Sequence, residues 1–62
     1  MNKLFFVKCY HFKYNEWWRL LVTASDSDAA VKLAKEYGGD NAFTEVYAQY
    51  ICQTPDELFL DV

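Results

Sequence analysis

Cys9 and His11 are the side chains best equipped for chemistry, a thiol and the chain's one imidazole, placed two apart in the run KCYHF. A thiolate next to a base is a nucleophile. On a strand, however, this spacing sets both side chains on one face about 6 to 7 Å apart, too far for a histidine to take the thiol proton. His11 therefore reads as a packed strand residue. Asp56 and Glu57 are neighbouring carboxylates, but after Thr54 and Pro55 they read as first-turn helix acids, which favour the positive end of the helix dipole. A single histidine with no CxxC or HxxxH spacing makes no metal site. Nucleophile, base and orienting group do not come together in any pattern, and no cofactor motif is present. A non-enzymatic function is expected.

What remains conspicuous is aromatic. In FFVKCYHFKYNEWW, residues 5 to 18, eight of fourteen side chains carry rings when His11 is counted. Phe5, Phe6, Val7, Tyr10 and Phe12 are expected in the core or a dimer interface. Tyr14, Trp17 and Trp18 flank a turn and are left to meet solvent or a partner, because adjacent tryptophans on a strand face opposite sides. Lys8, Lys13 and Arg19 lie among these rings, the combination that holds single-stranded nucleic acid by stacking and charge. That is one alternative reading, and a regulatory or structural accessory subunit that uses the sheet's open face is the other. Aromatic anchors also dominate protein interfaces, and a protein partner is the preferred one.

The elements that would position these groups follow from pattern. KLFFVKCYHFK, residues 3 to 13, reads as a strand apolar on both faces and therefore central. Asn15 in KYNEW is the expected left-handed turn residue. WWRLLVTA, residues 17 to 24, returns as the second strand, with Trp18, Leu20, Val22 and Ala24 on one side. In SDSDAAVKLAKEYGG, Ser25 is the expected N-cap, Ala30, Leu33, Ala34 and Tyr37 form an apolar stripe, and Gly38 ends the helix. AFTEVYAQYIC, residues 42 to 52, is a third strand with Val46, Ala48, Tyr50 and Cys52 on its more apolar face. Thr54, Pro55 and Glu57 then signal a short helical turn, with a fourth edge strand as the competing reading.

The expected fold is one α+β domain spanning residues 1 to 62: a three-stranded antiparallel sheet in β-β-α-β order, a helix on one face and a short C-terminal helical turn. A chain of 62 residues sits near the lower limit for independent folding and needs support from disulfides, metal or association. Cys9 and Cys52 read as reduced, buried thiols of a cytoplasmic protein, since no signal-peptide pattern precedes them. With metal also set aside, a homodimer is the expected support, either with a second copy of the same sheet covering the sheet's second face or with two sheets paired edge to edge. No apolar run is long enough for a membrane span. Net charge is −3. All six bases fall in the first 35 residues, and the remainder holds six acids and no base. That acidic half is expected to steer the protein toward a basic partner surface.

The hairpin running into VTASDSDAAVKLAKEYGG, a strand ending V-x-A followed by an acidic cap and an A-A-x-x-L-A helix, resembles the short β-β-α-β proteins of phages and other mobile elements. The resemblance covers about two thirds of the chain. It implies a non-catalytic, stoichiometric inhibitor of a bacterial defence system, of the anti-CRISPR kind, acting inside the bacterial cell. The expected partner contacts are Tyr14, Trp17 and Trp18 as anchors, with Asp40, Glu45, Asp56, Glu57 and Asp61 as the acidic rim.

Overall fold

A computed structural model describes residues 2 to 39 and 42 to 62. The chain forms strand β1 (Asn2–His11), strand β2 (Glu16–Ala24), helix α1 (Ser27–Gly38), strand β3 (Phe43–Thr54) and strand β4 (Phe59–Asp61). All four strands join one antiparallel sheet in the order β3-β1-β2-β4. β1, dense in aromatic residues, is paired on both edges. Asn15 takes the left-handed conformation at φ 54° in the hairpin turn, and the Tyr10 hydroxyl donates to its Oδ1.

Alternation along β1 sorts the sheet into two faces. Phe5, Val7, Cys9 and His11 are buried under α1, together with Leu20 and Val22 from β2 and Phe43 from β3. Ala30 and Ala34 are the fully buried helix residues. Their small side chains let α1 sit close on the sheet, while Leu33 and Tyr37, expected in the same stripe, lie at the exposed margin. Asp26 rather than Ser25 is the N-cap: its Oδ1 accepts from the Ala29 N–H at 2.8 Å. At the far end Gly39, not Gly38, adopts positive φ (91°), and its N–H donates to the Lys35 and Glu36 carbonyls. Gly38 serves a different need, because a Cβ there would run into the Phe43 ring.

The three-stranded sheet is corrected to four strands. Thr54 Oγ1 accepts from the Asp56 N–H at 3.2 Å, two residues on, which closes a tight turn instead of capping a helix. Too few residues follow to repay helix nucleation, whereas the outer edge of β2 offers unpaired backbone. Leu20, Leu21 and Val22 pair with Asp61, Leu60 and Phe59. The Thr23 N–H donates to the Leu58 carbonyl at 3.0 Å, and the Val62 N–H to the Arg19 carbonyl at 2.9 Å. Thr23 Oγ1 also accepts from the Leu58 N–H at 3.0 Å.

Cys52 is a second correction, since it is exposed rather than buried. The β1–β3 register shifts between Leu4 and Phe5, so Phe5 opposes Tyr50 while Leu4 opposes Cys52. Ile51 is the extra residue, and the slip turns Cys52 away from the helix side. No helix among the described residues is long and apolar enough to cross a membrane.

Candidate binding surface on the open sheet face

The side of the sheet opposite α1 is covered by no other element among the described residues. Its residues follow from register. Phe6 lies opposite Leu21 and Gln49, Lys8 opposite Arg19 and Tyr47, and Tyr10 opposite Trp17 and Glu45. Leu21 lies opposite Leu60. Phe6, Tyr10 and Leu21 are half-buried by their neighbours, and Trp17, Tyr47 and Leu60 are exposed at 40%, 56% and 47%.

Trp17 is the centre of this surface. Its ring meets Tyr10 edge-on at 5.2 Å and lies nearly parallel to Tyr47 at 6.2 Å. Lys8 Nζ stands 4.6 Å from the Trp17 centroid, a cation-π contact that holds both groups. The Tyr47 hydroxyl donates to Glu45 Oε1 at 2.7 Å. That hydrogen bond, reinforced by the carboxylate charge, keeps the Tyr47 hydroxyl above its ordinary pKa. Two cations and one carboxylate therefore sit within a field of rings and aliphatic side chains.

The expected contact residues separate in space. Trp17 and Glu45 share the open face. Trp18 points the other way, half-buried, stacked on His11 at 4.9 Å and edge-on to Phe43 at 5.4 Å, with Nε1 donating to Glu16 Oε1 at 2.8 Å. Tyr14 is 63% exposed but stacks on His11 at 4.6 Å, on the helix side. Asp61, also on the helix side, accepts from the Tyr37 hydroxyl at 3.0 Å. Asp56 and Glu57 lie in the β3–β4 connection, where the Asp56 carbonyl accepts from Asn2 Nδ2 at 3.1 Å, at the end of β1 remote from the hairpin turn. Asp40 lies outside the described residues. Among the described residues the acids thus form no continuous rim, and Phe6, Tyr10, Leu21, Tyr47 and Leu60 enter the surface instead. The signal for them was alternation: once Phe5 and Val7 are assigned inward, Phe6, Lys8 and Tyr10 must face outward.

Cys9 and His11 stay on the helix side. Burial pushes the Cys9 thiol up to about 11, so it is a neutral core group at pH 7. His11 is 5% exposed, and its Nδ1 has no hydrogen-bond partner among the described residues. The described residues contain no group of three or more His, Cys, Asp or Glu able to hold a metal.

Fold and surface together define a class: a small α+β domain with a helix on one face of a four-stranded antiparallel sheet and an aromatic, weakly cationic opposite face. Beyond the class nothing more particular emerges, since no family model, curated protein or solved structure matches the chain.

Proposed function

We propose that this protein is a non-catalytic protein-binding module whose contact surface is the open sheet face. The observation that carries the reading is the composition of that face. Trp17, Tyr10, Tyr47 and Arg19 are residue types concentrated in interface hot spots. Phe6, Leu21 and Leu60 beside them supply apolar area that stacked bases would not need. Such a module acts by occupying its partner's surface, as a stoichiometric inhibitor of the anti-defence kind would. The placement of charge shifts the partner's chemistry. Lys8 and Arg19 outnumber Glu45 on this face, so the complementary patch is apolar with a carboxylate near its middle, and the basic-partner reading loses the continuous acidic rim it required.

Single-stranded nucleic acid is the second reading, favoured by Lys8 and Arg19 standing opposite each other beside the Trp17 ring. One experiment separates the two. Affinity capture from bacterial lysate is run with and without nuclease, using wild type, Trp17→Ala, and the Asp56→Lys, Glu57→Lys double variant. The proposal expects a nuclease-resistant protein complex of fixed stoichiometry, lost with Trp17→Ala and kept by the double variant. A complex abolished by nuclease assigns the surface to nucleic acid. Retention by Trp17→Ala with loss in the double variant refutes the open face as the contact surface.

A further inference from the structure

The two edges of the sheet are guarded very differently. β4 is three residues long, follows Pro55, Asp56 and Glu57, and ends in Asp61. Short length, proline and charge are the devices that keep sheet edges from pairing. β3, at the other edge, is twelve residues long and contains no Pro, Lys or Arg, with Glu45 as its one formal charge. Its regular stretch, Glu45 to Tyr50, runs between the two register shifts and pairs with β1 on one side only. Its outward-pointing N–H and C=O groups are therefore a template for another strand.

We infer that β3 pairs antiparallel with β3 of a second copy of this chain, forming a two-fold dimer with one continuous eight-stranded sheet. Three observations favour a second copy over a foreign strand. The lengths match by identity. Same-face residues must oppose each other across the axis, so an axis central to the regular stretch passes beside Tyr47 or Ala48. The first register sets Tyr47 against itself, and the second sets Val46 against Tyr50, aromatic or aromatic with β-branched pairs that stabilise antiparallel ladders. Charge is the third: at about 3.4 Å per residue the two Glu45 carboxylates lie roughly 14 to 20 Å apart, beyond a Debye length of about 8 Å. Antiparallel self-pairing thus meets no like-charge contact. A two-fold axis normal to the sheet also keeps both open faces on one side. Given the open-face reading above, the dimer would present two copies of the Trp17 surface to one partner, which raises avidity without new contacts.

The test is sedimentation equilibrium of the full chain over a wide concentration range, combined with amide hydrogen exchange. The expected species has twice the 7.3 kDa chain mass, and alternate β3 amides gain protection as concentration rises. Gln49→Glu, near-isosteric at an exposed position, places a carboxylate opposite or diagonal to the partner's Glu45 in either register. It should weaken association several-fold at low ionic strength and much less in high salt, with the monomer's thermal midpoint unchanged. A monomer up to millimolar concentration overturns the inference. So does a dimer indifferent to Gln49→Glu whose β3 amides exchange as freely as the monomer's. Either result leaves Trp17-dependent partner binding as a separate measurement.

Discussion

Gly38→Ala tests how tightly the end of the helix is fitted to the sheet. Gly38 is helical, and its backbone conformation is one that alanine adopts freely; helix propensity alone favours the change by up to about 1 kcal/mol. The structure predicts the opposite sign. An alanine Cβ would overlap Phe43 Cε2 and stand 2.6 Å from Cζ and 2.8 Å from Cδ2, where carbon atoms settle at about 3.5 to 4.0 Å. The ring must withdraw by about 1 Å. It is 8% exposed and fixed edge-on between His11 at 5.5 Å and Trp18 at 5.4 Å. Overpacking of this kind costs about 1 to 3 kcal/mol. After the full propensity gain the net loss is up to about 2 kcal/mol, or up to roughly 15 °C in melting temperature for so small a domain. Urea unfolding followed by tryptophan fluorescence reads it directly, because Trp18 borders the site. In a Phe43→Leu background the shorter side chain leaves room, and the cost of Gly38→Ala should shrink by at least about 0.5 kcal/mol. A Gly38→Ala protein as stable as wild type, or more so, would show that Phe43 moves freely and that Gly38 is not there for space.

Other predictions follow from single contacts. Asp26→Ala should lower stability by about 1 kcal/mol, through loss of the cap to the Ala29 N–H, while Ser25→Ala should be nearly neutral; equal losses in a melting experiment would return the cap to Ser25. Cys9 ionises at about 11 in the folded protein against 9.0 for a free thiol, so folding favours its neutral form. Stability from this group is complete below about pH 9 and declines as pH rises toward 11. Unfolding curves at a series of alkaline pH values should show a decline in wild type that is weaker in Cys9→Ala. At pH 8 a thiol reagent should modify Cys52 rapidly and Cys9 only on unfolding, and equal rates in the native protein would contradict the placement of both. Trp18→Ala should cost about 2 kcal/mol or more, below the range for a fully buried aromatic because the ring is half-buried, whereas Trp17→Ala should leave the melting temperature within a few degrees while abolishing partner capture. A reversal of that pattern would invert the assignment of the two sheet faces.

Alternation made most of the sheet legible. Period-2 spacing puts Phe5, Val7, Cys9 and His11 on one side of β1 and Leu20 and Val22 on one side of β2, and the turn's need for a left-handed residue picks out Asn15. What escaped the sequence were contacts made by chain segments far apart. Thr54 and Pro55 carry the local signature of a helix start, and the unpaired edge of β2 is what overrides it. Nothing within residues 55 to 62 encodes that edge. Cys52 was misplaced for a related reason: periodicity cannot register the extra residue at Ile51, and one slip inverts every later side chain. The candidate surface was legible only through Trp17 and Glu45, because Phe6 and Tyr10 have the composition of core residues, and which face the helix takes is a tertiary choice.

The aromatic density of the first eighteen residues has two physical origins, which the fold separates. Beneath and beyond the helix, His11, Tyr14, Trp18 and Phe43 are in ring contact, and the series continues through Tyr37 to Phe59 at 5.0 Å. These rings do structural work that the alanine-lined helix is too slender to do, widening the core where α1 ends and the sheet continues. No such need exists on the opposite face, where Tyr10, Trp17 and Tyr47 cover no second layer. If stability alone governed that side, polar residues would serve at less risk of aggregation, as on other half-solvated antiparallel sheets. Rings held together there by Lys8 and by one another, with Arg19 alongside, cover no second layer, and their presence on a solvated face is what supports the proposed binding role of that face.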